Sequence, residues 1–367
     1  MAAPTAYAYP NNQAAVLHAV DDLRVQPHPL QGTLLPGQAL IRISHVGICA
    51  SDVHYLKHGS CGHFVLNAPM VIGHESAGEV VSIGDDVIDI AVGDLVALEP
   101  GVPCRQCSFC KEGKYNLCPD MKFFATPPVD GSLAHYITHP AFLCFKIPSP
   151  LTTVHGALCE PLSVGIHACR RADVGKSGDG KNSIVAILGA GPIGLVTAAV
   201  AIANGAAATV ITDINEDRLV TARKLFPVIE TVLVKDKSPE ESAGLIKQGL
   251  SSRVPGAHDG SPDVVLDCCG FEHSMRTAIS CVKSGGKILL VGCGQNEMKL
   301  PLTSASQREV DVLGLFRYRD TYPTALDLMA SGRVNIDDMV THRYERIEEV
   351  KGIIAKLSSL GWSLFPS

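Results

Sequence analysis

The apolar positions in the first third of the chain come in short runs that are separated by glycine and proline. Residues 39–44, 78–83 and 95–98 form three such runs, and turn-forming pairs such as Pro36-Gly37 and Gly93-Asp94 lie between them. Short apolar segments with a turn signal about every ten residues are typical of an all-β or barrel-like unit. The pattern therefore predicts a β-rich region at the start of the chain.

A different pattern begins near Ser163. The apolar run 184–188 leads directly into the sequence GAGPIG at residues 189–194, which a predicted helix of small residues follows at 195–204. Apolar and amphipathic segments then alternate, with strands predicted at 209–212, 264–267 and 287–291 and helices at 216–225 and 274–282. This alternation predicts an α/β region built on a doubly wound parallel sheet. After about Val310 the pattern becomes mixed again.

The composition limits the classes of function. The chain has 367 residues, which suggests about two domains. Hydrophobic residues make up 46% and charged residues 19%, so a large core can be buried and wholesale disorder is excluded. The formal net charge of −6 argues against a general nucleic-acid binder, which needs a basic surface. We expect a protein that handles a neutral small molecule and has no nucleic-acid or membrane partner.

The first residues bear on the compartment. Residues 1–16 contain no lysine or arginine and no long apolar core, so they make a poor signal or transit peptide. Without a secretory signal, the 13 cysteines are not expected to form a disulfide framework. Clustered cysteines in a reducing compartment more often bind metal. We therefore predict a cytoplasmic protein.

The GAGPIG sequence is the first candidate for chemistry, because it follows a predicted strand and opens a predicted helix. In a dinucleotide site, Gly189 permits the tight turn, Gly191 admits the pyrophosphate and Gly194 allows close helix–strand packing. Asp213 ends the next strand, where a carboxylate accepts hydrogen bonds from the adenosine ribose and repels a 2′-phosphate. This pattern predicts NAD rather than NADP as the cofactor.

Structural interpretations of the same residues stay open at this point. The glycines could serve only a tight strand–helix turn, and Asp213 could cap the helix that begins near Glu216. Arg218 could line the adenine edge or be a solvated helix residue.

Four cysteines form a second candidate site. Cys104, Cys107, Cys110 and Cys118 have the spacing C-x2-C-x2-C-x7-C. Four thiolates within one short loop suit a tetrahedral structural zinc with no open coordination position. Free thiols and an iron–sulfur cluster are the competing interpretations.

Three further segments carry residues that a catalytic zinc would use. They are residues 46–55, which include Cys49, the triplet Gly73-His74-Glu75, and residues 159–161, which include Glu160. Taken singly, each is unremarkable, since a histidine beside a strand is more often a hydrogen-bonded core residue than a ligand. Composition alone does not join them.

A resemblance to a known family joins these segments. The run from Gly73 to Val87 reads G-H-E-x2-G-x5-G-x2-V, which is similar to the zinc signature of the medium-chain alcohol dehydrogenase family. The four-cysteine loop and GAGPIG follow in that family's order, and the resemblance covers nearly the whole chain. Residues 46–55, 121–128, 160–171 and 316–318 most resemble the sorbitol (polyol) dehydrogenase branch, in its plant type.

The resemblance implies a fold and domain boundaries. It implies a β-rich GroES-like catalytic domain at residues 1–165, a Rossmann NAD-binding domain at 166–310, and a return to the catalytic domain at 311–367. Two departures from the family pattern stand out. Ala50 replaces the glycine that is usual after the first zinc ligand, and the final residues, 357–367, lack the recognisable sequence of the family's last strand. The second departure puts that strand, and with it activity, in question.

The resemblance also implies site residues. Cys49, His74 and Glu75 would ligate the catalytic zinc, and Glu160 would contact it through water or alternate with Glu75 as a direct ligand. The residues that would line the polyol pocket are Tyr55, Phe123, Thr126, Glu160, Arg317 and Tyr318. Besides the three glycines, the residues that would contact NAD are Ile193, Asp213, Arg218, Val291, Gly292, Cys293, Leu315, Phe316 and Arg317.

The activity that the resemblance implies is oxidation of sorbitol to fructose at C2, with hydride transfer to NAD, by an enzyme of the L-iditol 2-dehydrogenase type. One catalytic and one structural zinc per chain are expected. The proton would leave through Glu160, or through Ser51 toward His54. The resemblance further implies a homotetramer. Alternatives are a xylitol or L-arabinitol dehydrogenase that uses the same site, and a catalytically inactive NAD-binding relative.

Overall fold

A computed structural model describes residues 6–175, 182–253, 259–350 and 352. These residues form two compact units. The first unit contains the described residues up to Glu160, Tyr322–Ala330 and the described residues from Thr341 onward. The second contains the described parts of Pro161–Thr321 and Ser331–Val340. The predicted C-terminal departure at residues 357–367 lies outside the described residues.

The first unit is built mainly from antiparallel strands. In chain order the strands are β1 (Ala6–Tyr9), β2 (Gln13–Ala19), β3 (Asp22–Pro27), β4 (Leu30–Thr33), β5 (Gln38–Gly47), β6 (Ser60–Cys61), β7 (Phe64–Val65), β8 (Met70–Val71), β9 (Glu75–Ile83), β10 (Leu95–Leu98), β11 (Gly101–Val102), β12 (Lys122–Phe123), β13 (Tyr136–Pro140) and β14 (Cys144–Lys146). Its helices are α1 (Ala50–His58), α2 (Ser108–Lys111) and the start of α3 (Thr153–Arg171).

A five-stranded sheet of order β13-β5-β9-β10-β14 forms the centre of this unit. Alternate residues of its strands point to one face, so Ile41, Val80, Val96 and Leu98 meet in one buried cluster. A second sheet, of order β3-β2-β8, packs against α1. Residues of both, including Leu17 of β2 and Val53 of α1, form another buried cluster. The prediction of a β-rich first region is confirmed.

The second unit is a parallel sheet with helices in its crossovers. Its strands are β15 (Ile184–Leu188), β16 (Ala208–Asp213), β17 (Glu230–Leu233), β18 (Val264–Asp267), β19 (Lys287–Leu290) and β20 (Asp311–Gly314). Its helices are α4 (Pro192–Ala203), α5 (Glu216–Leu225), α6 (Pro239–Ser251), α7 (Glu272–Cys281) and α8 (Leu302–Ser306). The helix that follows, α9 (Tyr322–Ala330), belongs to the first unit. The sheet order is β17-β16-β15-β18-β19-β20, which confirms the predicted doubly wound fold.

Strand β15, at the centre of this sheet, is apolar throughout because both of its faces are covered. Val185, Ala186 and Ile187 of β15 are fully buried. The sheet also includes β20, which pairs in parallel with β19. The predicted boundary at residue 310 separates these two strands, whereas in the structure the chain returns to the first unit at Tyr322. Among the described residues, the structure contains no helix that is both long and apolar enough to cross a membrane.

A buried histidine makes the stability of the first unit depend on pH. His139 of β13 is 1% exposed, and its Nε2 lies 2.9 Å from the Glu99 carbonyl oxygen, to which the neutral ring can donate. Burial lowers the pKa of His139 to about 4, from an ordinary value of 6.5. Between these two values the unfolded chain binds a proton that the folded chain does not, so stability falls as the pH falls through this window.

We predict that His139→Gln flattens this dependence. The wild-type free energy of unfolding should lose about 3 kcal/mol more than that of the variant between neutral pH and pH 4, because each pKa unit corresponds to about 1.4 kcal/mol. Urea unfolding at a series of pH values measures the difference. The exposed His135→Gln is the matched control and should keep the wild-type slope. Equal slopes for His139→Gln and the wild type would contradict the prediction.

Candidate metal centres and cofactor site

Strand pairing brings the first candidate zinc ligands together. In the antiparallel pair of β5 and β9, Gly47 lies opposite Glu75. Cys49 follows β5 as the N-cap residue of α1, and His74 directly precedes β9. The ligand atoms of Cys49, His74 and Glu75 all lie within 4.8 Å of one another. Gly47 makes room for this arrangement, because a Cβ there would collide with the Glu75 carboxylate.

A buried aspartate that the sequence analysis missed fixes this geometry. Asp52 is 1% exposed, and its two carboxylate oxygens each accept one hydrogen bond, from the Cys49 and Gly73 backbone N–H groups at 3.0 Å. One side chain therefore joins the two loops that carry the ligands. The signal for it was the spacing Cys49-x2-Asp52, since a polar residue at the third helical position commonly caps a helix.

The electrostatics of this cluster fit a divalent cation. Burial, followed by the charges of Asp52 and Glu160, raises the pKa of the Cys49 thiol to about 11. The pKa of Glu75 is also raised well above its ordinary value, first by burial and then by Cys49 and Glu160. Buried anionic donors repel one another, and a bound metal ion reverses that cost. One thiolate, one imidazole and one carboxylate are ligands that zinc accepts.

The other predicted residues of the first unit have different placements. Glu160 is buried on α3, and its charge acts on both Cys49 and Glu75. The Phe123 ring centroid lies 6.0 Å from that of His74. Ser51 forms a hydrogen bond with the Cys49 sulfur, and His54 is half-buried on α1 with its pKa lowered by burial.

Two further residues predicted for the polyol pocket lie in this unit. Tyr55 packs in the apolar cluster that includes Leu17 and Ile72 and is 3% exposed. The Thr126 hydroxyl lies 3.5 Å from the Phe124 carbonyl oxygen, and the side chain is half-buried. Ala50, the departure from the family pattern, is the first residue of α1, a conformation in which alanine is unstrained.

The four-cysteine loop lies between β11 and β12. The sulfur atoms of Cys104, Cys107, Cys110 and Cys118 lie within 4.8 Å of one another. Backbone N–H groups of Gln106 and Cys107 donate to the Cys104 sulfur at 3.4 Å and lower the pKa of that thiol to about 7. These contacts favour a thiolate before any metal binds. The donor set and the closed arrangement fit a structural zinc.

The glycine turn of the second unit has the geometry of a dinucleotide site. Gly189 has a positive φ of 97°, and a Cβ there would lie 2.7 Å from the Cys269 sulfur. Gly194 packs against the Gly189 carbonyl oxygen, with no space for a side chain. Gly191 is the N-cap residue of α4, and the space beside its Cα is open. The free N–H groups of a helix N-terminus beside open space suit a phosphate.

Asp213 ties the end of β16 to this turn. Its carboxylate accepts hydrogen bonds from the Ala190 and Asn215 backbone N–H groups, each at 2.9 Å. Asn215, not Asp213, is the N-cap residue of α5, so the alternative capping role for Asp213 is wrong. A guanidinium nitrogen of Arg218 lies 3.6 Å from the Asp213 carboxylate. Arg218 is thus an ion-pair partner of Asp213 as well as a candidate cofactor contact.

The remaining cofactor candidates lie at the same edge of the sheet, because parallel strands end there. Val291, Gly292 and Cys293 follow β19, and residues 315–317 follow β20. The backbone N–H groups of Val291 and Gly292 donate to the Asp267 carbonyl oxygen at 2.9 Å. Cys293 is exposed, and Ile193 is half-buried in the first turn of α4. Arg317 and Tyr318 belong to the second unit, whereas Glu160 belongs to the first.

Asp267 is a second aspartate that the sequence analysis missed. It ends β18 fully buried, and its carboxylate accepts hydrogen bonds from the Cys269 and Gly270 N–H groups and from the Ser274 hydroxyl. Burial raises its pKa to about 6. A carboxylate at the end of an otherwise apolar strand was the available signal, and it positions the loop that follows β18.

Comparison with known proteins gives the family. Residues 35–149 match the alcohol dehydrogenase GroES-like domain, and residues 192–331 match the zinc-binding dehydrogenase domain. A sorbitol dehydrogenase of Arabidopsis thaliana is 46% identical over 91% of this chain and 88% of its own length. This chain belongs to the zinc-dependent medium-chain alcohol dehydrogenase family. The resemblance seen in the sequence is therefore confirmed.

Other relatives of this dehydrogenase differ in their named substrates. The human sorbitol dehydrogenase is 43% identical over 92% of the chain and 91% of its own length. An L-idonate 5-dehydrogenase of Vitis vinifera is 46% identical over 91% of the chain and 87% of its own length. Among solved structures, the L-idonate 5-dehydrogenase of Escherichia coli superposes with a TM-score of 0.85 at 26% identity and covers 98% of both chains.

The two clusters of the dehydrogenase predict its metal content. We expect Cys107→Ser to lower the zinc content from two ions per chain to one, because a serine hydroxyl is a poor replacement for a thiolate ligand. Elemental analysis of protein purified without chelator measures this. Cys61→Ser, which lies outside both clusters, is the control and should retain two zinc ions. Retention of two ions by Cys107→Ser would overturn the assignment.

Proposed function

We propose that this dehydrogenase oxidises sorbitol at C2 to fructose and transfers the hydride to NAD. The observation that carries the proposal is the cluster of Cys49, His74 and Glu75, on which the charge of Glu160 also acts. The similarity to sorbitol dehydrogenases from a plant and from vertebrates supports the substrate class. Zinc bound by these residues would supply a Lewis acid that polarises a substrate hydroxyl.

The chain's own residues then have separate roles. Glu160 is the first candidate for the group that accepts the hydroxyl proton, because it is a buried carboxylate whose charge reaches the metal ligands. The alternative route uses the Ser51 hydroxyl and His54, which are three residues apart on α1 and so share a helix face. The hydrogen bond between Ser51 and the Cys49 sulfur engages that hydroxyl and favours Glu160.

Substrate recognition is assigned to a small set of polar groups. We assign polyol contacts to Glu160, Arg317 and Tyr318, with Tyr55, Phe123 and Thr126 as further candidates. An uncharged polyol needs a few fixed donors and acceptors for its orientation, and this set offers both. We keep the domain roles that the sequence implied, with the first unit catalytic and the second NAD-binding.

L-Idonate is a second candidate substrate. A relative at 46% identity is named an L-idonate 5-dehydrogenase, and L-idonate differs from a polyol by a carboxylate. A guanidinium such as that of Arg317 could pair with this carboxylate. Xylitol and L-arabinitol remain candidates on the same site, and an inactive NAD-binding relative remains the alternative from another class.

We further infer that the protein acts in the cytoplasm as a homotetramer. The cysteine loop supports this compartment, because its four sulfur atoms lie within 4.8 Å of one another and clustered cysteines bind metal under reducing conditions. In the second unit, β20 lies at the edge of the sheet with Val312 42% exposed, which suits a contact with another copy.

The proposed activity is tested with a substrate panel and two variants. We expect the highest kcat/KM for sorbitol among sorbitol, xylitol, L-arabinitol and L-idonate, measured by NADH absorbance. Glu160→Gln should lower kcat by about 10²- to 10⁴-fold, the range for loss of a general base, with NADH affinity unchanged. His74→Ala should lower turnover similarly and lose one zinc ion.

Glu79→Gln is the matched control, because Glu79 pairs with Arg42 near the surface and lies four residues beyond Glu75 on β9, about 13 Å along the strand. It should retain wild-type turnover. Wild-type rates in Glu160→Gln would remove Glu160 from the mechanism. A zinc-loaded wild type that oxidises nothing in the panel would favour the inactive relative.

The preference for NAD is tested at Asp213. The substitution Asp213→Asn keeps an oxygen that can accept from the Ala190 N–H group, but it removes the charge that repels a 2′-phosphate. We expect the ratio of kcat/KM for NAD to that for NADP to fall by about tenfold, since one charge interaction near a surface corresponds to roughly 1–2 kcal/mol. Asp217→Asn, an exposed residue in the first turn of α5, should keep the ratio. An unchanged ratio in Asp213→Asn would exclude Asp213 as the specificity residue.

A further inference from the structure

Residues 315–320, which follow β20, form an irregular segment that carries four assigned site residues: Leu315, Phe316, Arg317 and Tyr318. Two of its residues have positive φ, Arg317 at 50° and Asp320 at 49°. This region of backbone conformation is unfavourable for residues with a Cβ, so surrounding contacts must hold it. The contacts that hold this segment therefore bear on the site.

Two consecutive arginines at the end of α3 bind the segment at its two ends. The Arg171 Nε donates to the Gly314 carbonyl oxygen at 2.7 Å. The Arg170 Nη1 donates to the Asp320 carbonyl oxygen at 2.7 Å. Hydrogen bonds from a charged donor are stronger than those between neutral groups, and the planar guanidinium fixes their direction. All four residues belong to the second unit.

The side chains between these ends depend on the backbone that the arginines hold. The Arg317 guanidinium carbon lies 4.8 Å from the Phe316 ring centroid, within the range of a cation–π interaction. Tyr318 is 3% exposed. A change in the backbone at residues 316–318 would therefore move Arg317 off its ring and change the direction of Tyr318.

His167 supports this arrangement from the same helix. It lies one turn before the two arginines and is buried. Its pKa is lowered to about 4, first by burial and then by Arg319, Arg171 and Arg170. The imidazole is thus uncharged near neutral pH and adds no positive charge beside the guanidinium groups.

We propose that Arg170 and Arg171 are positioning residues that clamp residues 314–320 and so hold Arg317 and Tyr318 in the orientation that recognises the substrate. The clamp acts through backbone carbonyl oxygens, and neither arginine is assigned a substrate contact. This inference rests on the proposed function for its kinetic consequence, but the clamp itself can be measured without substrate.

The test compares three forms of the zinc-loaded enzyme with the wild type. The double variant Arg170→Ala/Arg171→Ala removes both clamps, and Arg170→Lys/Arg171→Lys keeps two cationic donors with less directional geometry. Arg223→Ala is the matched control, because Arg223 is exposed on α5 in the same unit and binds Glu216 and Thr231. Hydrogen–deuterium exchange of the peptide covering 314–321, steady-state kinetics, NADH affinity, zinc content and melting temperature are measured for each.

We expect faster exchange at 314–321 in the alanine double variant, with zinc content unchanged. Its kcat/KM for sorbitol should fall by about 10- to 100-fold, mainly through KM, as expected for loss of charge-assisted hydrogen bonds. The lysine variant should recover part of this loss, and Arg223→Ala should match the wild type in exchange and kinetics.

Unchanged exchange at 314–321 in the alanine variant would overturn the clamp. Faster exchange with unchanged kcat/KM, or a lower melting temperature as the sole effect, would overturn its role in substrate positioning. If the wild type oxidises no substrate in the panel, the proposed function fails, and the exchange measurement still decides whether the clamp exists.

Discussion

The pairing of β5 with β9 is the constraint on which the candidate catalytic site depends. It places Gly47 opposite Glu75 and thereby brings Cys49, two residues beyond the end of one strand, to His74 and Glu75 at the start of the other. A shift of this register by one residue would turn Glu75 to the opposite face of the sheet and separate the ligands. The pairing also brings anionic donors together, at a cost that burial and mutual repulsion impose on Cys49 and Glu75. Burial of the apolar face of the sheet, which includes Ile41 and Val80, stabilises the same register and so offsets this electrostatic cost.

Buried aspartates perform the same task in both units. Asp52 joins the loops before α1 and β9, Asp213 joins the end of β16 to the glycine turn, and Asp267 organises the loop after β18. Each accepts hydrogen bonds from backbone N–H groups that would otherwise lack a partner in an irregular loop. A carboxylate suits this role because its two oxygens can accept from two separate loops, and the N–H donors offset much of the cost of its burial. The loops that bear the proposed chemistry are therefore held by buried carboxylates, of which Asp52 and Asp267 are assigned no ligand contact.

The sequence predicted those parts of the molecule whose signals are local. The residues of the glycine turn with Asp213 lie within a short stretch of chain, and so do the residues of the cysteine loop. Their spacing in the sequence was therefore enough to predict that the members of each site lie close together in space. Helix 216–225 and strand 264–267 have the predicted bounds. Asp52 was missed because its role depends on a tertiary contact: the hydrogen bond between Asp52 and Gly73 spans 21 residues. The partners of Asp267 are local, between Cys269 and Ser274, but an aspartate at the end of a strand does not by itself indicate them. The membership of β20 in the second unit likewise depends on pairing with β19, which a mixed pattern after Val310 does not indicate.

The two clusters also differ in a way that their charges explain. Four thiolates carry twice the charge of a zinc ion, so the cysteine loop needs donors such as the Gln106 and Cys107 N–H groups to disperse the excess. The cluster of Cys49, His74 and Glu75 has only two anionic ligands, which a divalent ion neutralises. An ion with fewer thiolate ligands retains more Lewis acidity, and three ligands leave a position open. The differences in ligand charge and ligand number are thus consistent with a structural role for one cluster and a chemical role for the other. It also gives a reason for the placement of Glu160: a further direct carboxylate ligand would close the site and reduce that acidity, whereas a carboxylate that acts nearby can take a proton.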